Sequence, residues 1–384
     1  MGREVSKIAV DRNIPLAGSA FGPLGEVTLL ETTAITSGSV RDAGALVIRS
    51  ETKVGPGLLE GSGVRFVGSA TIGTDHIDLP YLASKGITFA SAPGSNANSV
   101  KEYVLAALLA LARRGGFSLR GKTLGVVGVG NVGGRVASMA RTLGMTVLEN
   151  DPPLEREAGG GGYLPIEDLM GADIITLHVP LTRTGGDATY HLFDARRLRA
   201  MKPGSILINT SRGAVVETSA LKSALLGRHI SAAVLDVWEG EPAIDAALLR
   251  RVSLGTSHIA GYSIDGKVNA AGMIRAALSR FLNNPSAWDP SREIPSPPDP
   301  SVVLPERGTT EEILEQAVKA CYDIECDDRL LRGLFDVPRE ERGRYFMGLR
   351  TGYRLRREFA CMHVVTGSVD IPLRRVLAGV GFRL

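Results

Sequence analysis

The sequence is poor in cysteine, in net charge and in long apolar runs, and each shortage excludes a class of protein. Its 384 residues include three cysteines, Cys321, Cys326 and Cys361, an odd number with no C-x-x-C pair. A disulfide scaffold and a common type of zinc site are therefore excluded, and the thiols fit a reducing compartment. The 44 basic and 41 acidic residues leave a formal charge of only +3, so we expect no nucleic acid partner.

No apolar stretch of the sequence is long enough to cross a membrane. The longest, Tyr103–Ala112, is flanked by charged pairs at Lys101–Glu102 and Arg113–Arg114, whereas a membrane span needs about 20 apolar residues. The N-terminal segment also lacks a signal-peptide core. We therefore expect a cytoplasmic protein with no membrane partner, in which this stretch is a buried helix capped by Asn98 or Ser99.

Short apolar runs between turn residues predict two parallel sheets. Repeated β-α units predict an open α/β layer in residues 1–98 and a doubly wound parallel sheet in residues 99–258. The helical pattern of Gly266–Leu282 returns the chain to the first lobe. The strand candidates are Ile8–Val10, Ala45–Ile48, Phe66–Ser69 and Thr88–Ala90, then Thr123–Val127, Met145–Asn150, Ile174–His178, Ser205–Asn209, Ala232–Val237 and Ser253–Thr256.

The last quarter of the chain begins with a proline-rich segment, residues 286–308, which predicts an extended linker. Beyond it, Glu311–Cys326 is predicted to be helical and Cys361–Thr366 to be a strand. Acidic residues nearly balance basic ones in this tail, so we expect its arginine run to form a solvated or interface face rather than a polyanion site. The run comprises Arg350, Arg354, Arg356 and Arg357.

One glycine-rich segment, Gly128-Val129-Gly130-Asn131-Val132-Gly133, lies between a predicted strand and a predicted helix. In such loops the first glycine permits a tight turn, the second lets a pyrophosphate approach the backbone and the third allows close helix packing. Asp151 ends the next strand, 18 residues after Gly133. A carboxylate there binds ribose hydroxyls and repels a 2′-phosphate, so the segment predicts NAD, although Arg156 leaves NADP open.

Three further segments follow predicted strands and carry side chains suited to oxidising an alcohol, namely Arg212, Glu241 and His258. Histidine titrates near working pH and can take a hydroxyl proton, a carboxylate can hold the imidazole, and a guanidinium can bind a carboxylate with two hydrogen bonds. Taken singly, a helix-capping cation, a solvated loop acid and a core histidine are ordinary alternatives. We predict an active site because all three lie where doubly wound sheets bind ligands.

The order of these motifs behind a glycine-rich lobe resembles the D-2-hydroxyacid dehydrogenase family. The resemblance implies that His258 is the acid/base, Glu241 its partner and Arg212 the anchor of the substrate carboxylate. These roles describe oxidation of a hydroxyl group next to a carboxylate.

The same resemblance implies where NAD is held: at Asp151, at Asp236 near the nicotinamide, and at the backbone around Val179 and Gly261. Val179 stands where the family pattern has a small polar residue. Only a backbone contact is therefore expected at that position.

Segments spread over nearly the whole chain resemble a narrower family, the erythronate-4-phosphate dehydrogenases. They are Val47–Val54, Val67–His76, Ala92–Asn96, Leu235–Pro242, His258–Ser263 and Tyr322–Asp328. This resemblance implies oxidation of 4-phospho-D-erythronate to (R)-3-hydroxy-2-oxo-4-phosphooxybutanoate in pyridoxal phosphate synthesis. It also implies substrate contacts from Ser50, Thr71 and Tyr262, and a homodimer formed through the tail. Arg49 is a reasonable phosphate partner on charge grounds.

Two other functions remain open. One is another D-2-hydroxyacid dehydrogenase, of the phosphoglycerate or glyoxylate type, although minimal members lack the linker and the tail. The other is a non-catalytic, NAD-sensing regulator of the same fold, against which the complete catalytic trio counts. The spacing of Asp75-His76-Ile77-Asp78 fits no common set of metal ligands, so we expect no metal.

These features predict an α/β protein with a Rossmann-type doubly wound parallel sheet, a second, flavodoxin-like α/β substrate lobe and a small C-terminal α+β dimerisation domain. The expected boundaries are 1–98 with 259–285 for the substrate lobe, 99–258 for the NAD-binding domain, 286–308 for the linker and 309–384 for the dimerisation domain.

Overall fold

A computed structural model of the chain describes residues 7–297, 300–304, 307–365 and 371–384. The chain folds into two compact units. Unit 1 comprises Met1–Asn96 and Ser263–Ser296, and unit 2 comprises Ala97–Tyr262 and Pro297–Leu384. The C-terminal segment, Pro297–Leu384, therefore shares a unit with the predicted NAD-binding domain, and the expected domain boundaries stay predictions. None of the helices within the described ranges is both long and apolar enough to span a membrane.

Unit 1 is built on a five-stranded parallel sheet. Its strands are β1 (Lys7–Asp11), β2 (Glu26–Leu30), β3 (Ala45–Ile48), β4 (Phe66–Ser69) and β5 (Thr88–Ala90), in the order β2-β1-β3-β4-β5. This order is that of flavodoxin-like folds and confirms the predicted class. The apolar runs β3 and β4 are buried along their whole length. The sequence pattern does not predict β2, because it is an edge strand with no fully buried residue.

Unit 2 contains the predicted six-stranded parallel sheet, in the order β11-β10-β9-β8-β6-β7. Its strands are β6 (Thr123–Val127), β7 (Thr146–Asn150), β8 (Ile174–Leu177), β9 (Ser205–Asn209), β10 (Ile230–Leu235) and β11 (Leu254–Gly255). The chain adds β7 on one side of β6 and the later strands of this sheet on the other. Loops that follow β6 and β8 therefore diverge and leave a crevice at the carboxyl ends of these strands, where such folds bind ligands.

The α-helices connect the strands and cover the sheets. In chain order they are α1 (Ala17–Phe21), α2 (Pro56–Leu59), α3 (Leu79–Ser84), α4 (Ala97–Gly115), α5 (Asn131–Thr142), α6 (Pro152–Glu157), α7 (Ala195–Ala200), α8 (Thr218–Leu226), α9 (Ala246–Leu249), α10 (Ile264–Leu282), α11 (Thr310–Cys321), α12 (Ile324–Arg332), α13 (Arg342–Thr351) and α14 (Ile371–Val380). The predicted cap at Asn98 or Ser99 is wrong, because α4 already begins at Ala97. The Ser99 hydroxyl instead donates to Glu358 Oε1 at 2.7 Å.

The C-terminal segment adds its own strand pair and helices to unit 2. Strand β12 (Ser301–Val303) pairs in parallel with β13 (His363–Val365). Residues 301–303 are extended, as predicted, but they belong to a packed strand pair, so the prediction of an unpacked linker is wrong for them. The single helix predicted over Glu311–Cys326 is two helices, α11 and α12. The chain breaks between them because the Asp323 side chain caps α12 through the N–H groups of its first turn. Thr366, the end of the predicted strand, lies outside the described residues.

One arginine of the tail is buried inside unit 2. Arg356 is 3% exposed and forms an ion pair with Glu102 of α4 at 3.2 Å. Its guanidinium also donates to the carbonyl oxygens of Ser99 at 2.9 Å and Ala260 at 3.3 Å. Burial raises the pKa of Glu102 to about 7, and the charge of Arg356 opposes that rise. The prediction of a solvated or interface face is therefore wrong for Arg356.

Candidate active site

The first and third glycines of the loop after β6 stand where no larger residue fits. Gly128 has a φ of +85°, and a Cβ there would lie 2.8 Å from the carbonyl oxygen of His178. A Cβ at Gly133, in α5, would come within 1.8 Å of the Gly128 carbonyl oxygen. The loop therefore turns tightly out of the sheet with α5 packed directly on it, as the motif predicts.

The second glycine faces open space instead. A Cβ at Gly130 would meet no heavy atom within 4 Å among the described residues. Gly130 is the N-cap of α5, and no side-chain hydrogen bond from the described part of the chain caps this end of the helix. The N–H groups of Asn131, Val132 and Gly133 are thus available to an anion at the positive end of the helix dipole. This arrangement fits the pyrophosphate of NAD.

Asp151 follows β7 and is joined to the glycine-rich loop. Its Oδ2 accepts the N–H of Val129 at 2.8 Å, and its Oδ1 accepts the N–H of Leu154 at 3.1 Å. The carboxylate therefore stands beside the phosphate-binding turn, where an acid binds ribose hydroxyls. Arg156 is the residue that could have bound the 2′-phosphate of NADP. It forms a two-point ion pair with Asp187, in which one contact is 3.1 Å long. Because that guanidinium is already engaged, the site favours NAD.

The segment Gly159–Gly162 folds around a carboxylate. Its first three glycines have φ values of +77°, +101° and +91°, which side chains rarely permit. This winding brings the N–H groups of Gly161, Gly162 and Tyr163 to the Glu155 carboxylate at 2.5, 3.1 and 2.6 Å. These hydrogen bonds, that of Tyr163 foremost, lower the pKa of Glu155. The glycines thus permit a backbone nest that Glu155 fills.

His258 and Glu241 are in direct contact. His258 Nδ1 lies 2.8 Å from Glu241 Oε2, and Glu241 Oε1 accepts the N–H of Trp238 at 2.7 Å. Burial alone would raise the pKa of Glu241, but the charge and hydrogen bond of His258, together with the Trp238 N–H, lower it. An ionised Glu241 holds the Nδ1–H of the imidazole, which leaves Nε2 to accept a substrate proton.

Asp236 positions the backbone that carries His258. Asp236 is only 1% exposed. Its carboxylate accepts hydrogen bonds from the Thr256 hydroxyl at 2.6 Å and from the N–H groups of Ile259 and Ala260 at 2.8 and 2.9 Å. Its carbonyl oxygen accepts the N–H of His258 at 2.7 Å. Burial raises the pKa of Asp236, and the charge of His258 and these hydrogen bonds oppose the rise. The contact of Asp236 with the nicotinamide stays a prediction.

Val179 and Gly261, the two positions expected to contact NAD by backbone, lie in the loops after β8 and after the His258 segment. A Cβ at Gly128 would come within 2.8 Å of Val179 Cγ1, so this aliphatic side chain packs against the turn of the glycine-rich loop. Gly261 is partly exposed and follows Ala260, whose N–H is held by Asp236. Both contacts with NAD stay predictions.

Arg212 follows β9. The residue after it, Gly213, packs against the backbone of the segment that carries Glu241. A Cβ at Gly213 would lie 1.9 Å from the carbonyl carbon of Trp238, so the two backbones are in direct contact there. Trp238 in turn donates its N–H to Glu241. Asn209 Nδ2 fixes the Arg212 carbonyl oxygen at 3.0 Å. The three predicted catalytic residues thus lie on neighbouring loops of unit 2: the Arg212 and Glu241 loops are in backbone contact, and Glu241 is hydrogen-bonded to His258.

Arg49, Ser50 and Thr71 share one edge of the sheet in unit 1. Arg49 and Ser50 follow β3, and Thr71 follows β4, the parallel neighbour of β3. The hydroxyl of Thr71 lies 2.8 Å from that of Ser69, which is itself 3.1 Å from His76 Nε2. Polar side chains therefore line the carboxyl ends of both strands.

Lys267 lies in the first turn of α10 and adds a second cation near Arg49 in unit 1. Burial, and next the charge of Arg49, lower the pKa of Lys267 to about 8, against an opposing contribution from Glu51. Two cations near the residues of this sheet edge suit a substrate with more than one negative charge. No local sequence signal marks Lys267, because the two cations are far apart in the chain.

Tyr262 is the last residue of unit 2 before α10 and contacts the C-terminal segment. Its ring meets that of Tyr353 edge to face, with the centroids 5.9 Å apart. Its hydroxyl accepts a hydrogen bond from Arg350 Nη2 at 3.3 Å. Arg350 is on α13, so the arginine run of the tail comes close to a predicted substrate residue, which the sequence pattern alone does not indicate.

Comparison with known proteins agrees with this geometry. Residues 98–260 match the model of the D-isomer specific 2-hydroxyacid dehydrogenase, NAD binding domain, and residues 294–380 match a domain of unknown function (DUF3410). The chain is similar to the erythronate-4-phosphate dehydrogenase of Salinibacter ruber, with 47% identity over 94% of both chains. It is also similar to that of Chromohalobacter salexigens, with 44% identity over 98% of both.

Among solved structures, the TT0316 protein from Thermus thermophilus is 30% identical and superposes with a TM-score of 0.63 over 72% of this chain and 97% of that one. The match of the NAD binding domain and the open backbone at Gly130 agree on the cofactor. The chain is therefore an NAD-dependent dehydrogenase, and it belongs to the erythronate-4-phosphate dehydrogenase family of D-isomer specific 2-hydroxyacid dehydrogenases.

Proposed function

We propose that the protein oxidises 4-phospho-D-erythronate to (R)-3-hydroxy-2-oxo-4-phosphooxybutanoate with NAD, as a step of pyridoxine 5′-phosphate synthesis. The observation that carries the chemistry is the 2.8 Å contact of His258 with Glu241, on a loop neighbouring that of Arg212. The substrate is supported by relatives of that name at 44% and 47% identity over nearly the full length of both chains.

Oxidation of a 2-hydroxy acid requires removal of the hydroxyl proton and of the hydrogen on the same carbon. His258 Nε2 takes the hydroxyl proton, and ionised Glu241 stabilises the imidazolium that forms. NAD held at the glycine-rich loop and Asp151 would supply the acceptor for the carbon-bound hydrogen and its electron pair. The electron pair of the broken O–H bond completes the C=O bond of the product. Arg212 binds the substrate carboxylate through its planar fork and polarises the neighbouring oxygen.

The substrate contacts in this proposal are Arg49, Ser50, Thr71 and Tyr262. Serine, threonine and tyrosine hydroxyls can bind the hydroxyl and phosphate oxygens of the substrate. Arg49, with Lys267 nearby, supplies the positive charge that a phosphate group requires. The polar edge of the sheet in unit 1 supports three of these assignments.

We also propose a cytoplasmic homodimer formed through the C-terminal segment. Val303 of β12 and Val365 of β13 are partners across the strand pair and are 77% and 52% exposed, so the pair presents an apolar face. Replacing both by aspartate is expected to yield a monomer in light scattering. The control is Leu226→Asp, at a residue of α8 that is 58% exposed. A double variant that remains dimeric contradicts the proposed interface.

The function is tested with purified protein, 4-phosphoerythronate and a 2-oxo acid as acceptor, by following the 2-oxo product. Turnover supports the proposal. Activity on 3-phosphoglycerate or on glycolate, the hydroxy acid that corresponds to glyoxylate, without turnover of 4-phosphoerythronate supports another 2-hydroxyacid dehydrogenase. No turnover on any of these substrates supports an NAD-sensing regulator.

The choice of base is tested by His258→Ala, with His191→Ala as the matched control. His191 also pairs with a glutamate, Glu239, at 2.6 Å, and its side chain is 28% exposed against 32% for His258. We expect His258→Ala to lower kcat by about 10²- to 10⁴-fold without changing NAD affinity. His191→Ala should remain close to wild type. Retained turnover in His258→Ala contradicts the assignment of the base.

A further inference from the structure

A cation from the C-terminal segment lies among the predicted active-site residues of unit 2. Arg350 Nη2 donates to the Tyr262 hydroxyl at 3.3 Å, and the guanidinium carbon lies 5.9 Å from the centre of the Tyr262 ring. The positive charge of Arg350 also contributes, after burial, His258 and Trp238, to the balance that lowers the pKa of Glu241. The guanidinium is therefore close to one predicted substrate residue and acts electrostatically on the partner of the base.

Packing holds this cation in place. Phe346, one turn before Arg350 on α13, is completely buried in the same apolar core as Trp238. Trp238 is the residue whose N–H holds Glu241. The position of α13 relative to the catalytic loop is thus set by a shared core rather than by a loop.

The chemistry around Arg350 suits an incoming anion. Its guanidinium contacts the neutral hydroxyl of Tyr262, and Nη1 lies 3.7 Å from the sulfur of Met347. These two contacts are long, and a guanidinium binds a phosphate more strongly than it binds either of these uncharged acceptors. A phosphate dianion also offers two oxygens to the fork of an arginine.

We propose that Arg350 is a substrate-binding residue that recognises the phosphate group of the hydroxy acid, so that the C-terminal segment determines substrate specificity as well as assembly. This inference rests on the proposed function, because it concerns the phosphorylated substrate. Arg212 then binds the carboxylate end of the substrate, and Arg350, together with the Tyr262 hydroxyl, contributes to binding the phosphate end, for which Arg49 is the other proposed cation.

The test compares Arg350→Met with Arg344→Met, which removes an exposed arginine from the same helix. Steady-state kinetics with 4-phosphoerythronate give KM and kcat, and inorganic phosphate serves as a competitive inhibitor. We expect Arg350→Met to raise KM and the phosphate inhibition constant about 10- to 150-fold, the effect of losing one charge-assisted hydrogen bond, with kcat within about threefold of wild type. Arg350→Lys should recover part of the loss, and Arg344→Met should match wild type.

The outcomes separate three readings. A KM within twofold of wild type in Arg350→Met contradicts the inference. A fall in kcat with unchanged KM and a changed pH profile also contradicts it, because it indicates a positioning role through Glu241. NAD binding and thermal unfolding report whether each variant folds, and Arg350→Gln provides the same measurement if the methionine variant does not. If the wild-type protein fails to oxidise 4-phosphoerythronate, the proposed function and this inference both fail.

Discussion

Replacing Glu241 by glutamine is the most direct test of the proposed catalytic pair. The carboxylate uses both oxygens, Oε1 for the N–H of Trp238 at 2.7 Å and Oε2 for His258 Nδ1 at 2.8 Å. A glutamine has one carbonyl oxygen and one NH₂ group. It can therefore accept from only one of these two nitrogens and must present N–H groups to the other.

The size of the effect follows from which nitrogen loses its acceptor. Loss of the charged partner alone costs about 1.5–3 kcal/mol, which is roughly a 10- to 150-fold loss in rate. If the amide oxygen stays with Trp238, the NH₂ group donates to Nδ1 and selects the tautomer with its proton on Nε2. That nitrogen then cannot take the substrate proton, and a wrong tautomer of this kind costs about 10⁴-fold in a serine protease. We therefore expect kcat of Glu241→Gln to fall by about 10²- to 10⁴-fold.

The assay is steady-state turnover of 4-phosphoerythronate, with NAD affinity measured separately. Glu239→Gln is the control, because Glu239 also bonds a histidine, His191, at 2.6 Å and the N–H of Thr218 at 3.2 Å. It loses the same charge two positions away, and we expect its kcat within about threefold of wild type. Wild-type kcat in folded Glu241→Gln, or an equal loss in Glu239→Gln, would refute the reasoning.

Three further predictions follow from the cofactor loop, the buried ion pair and Lys267. Gly130→Ala should lower the affinity for NAD in a fluorescence titration but leave the midpoint of thermal unfolding unchanged. Gly133→Ala should lower both the affinity and the midpoint, since its Cβ would lie 1.8 Å from a carbonyl oxygen. Arg356→Met leaves Glu102 buried without its cation and should cost about 3–5 kcal/mol in urea unfolding; a loss under about 1 kcal/mol contradicts this. The pKa of Lys267 is lowered from 10.5 to about 8. Between about pH 8 and 10.5 the unfolded chain therefore binds more protons than the folded chain does. The contribution of Lys267 to stability should therefore rise with pH from about 8 to 10.5, while KM rises above pH 8 as its charge is lost; Lys267→Met should abolish both dependences.

The parts of the fold that the sequence predicts are those with a local cause. Strands β3 and β4 are predicted to the residue because each is a short apolar run, buried on both faces and bounded by turn residues. Strand β2 lacks that signal because it is a partly exposed edge strand. The strand at Ser301–Val303 is likewise not predicted. Prolines lie on both sides of it, and its pairing with β13 depends on residues about sixty positions away.

The residues of the candidate site likewise fall into those that the sequence predicts and those that only the fold reveals. Loops that follow predicted strands were expected to carry functional residues, and the glycine-rich loop, Asp151 and the His258–Glu241 pair are found there in hydrogen-bonded contact. Lys267 and Arg350 were not expected, because their significance comes from neighbours that the fold brings to them. Asp236 is an intermediate case. Its position is predicted, but its hydrogen bonds to the Thr256 hydroxyl and to the N–H groups of Ile259 and Ala260 are visible only in three dimensions.

The C-terminal segment also forms hydrogen bonds with the backbone on both sides of His258, the proposed base. The N–H of Ala260 donates to Asp236 Oδ2 at 2.9 Å, while its carbonyl oxygen accepts from Arg356 Nη1 at 3.3 Å. On the other side of His258, Asp328 of α12 accepts the N–H of Gly255 at 2.8 Å. His258 itself has a φ of +59°, a conformation that costs a non-glycine residue about 1–3 kcal/mol. Hydrogen bonds from the C-terminal segment on both sides of His258 offset that cost, so the segment stabilises the loop of the proposed base within its own chain, whatever it contributes to a dimer.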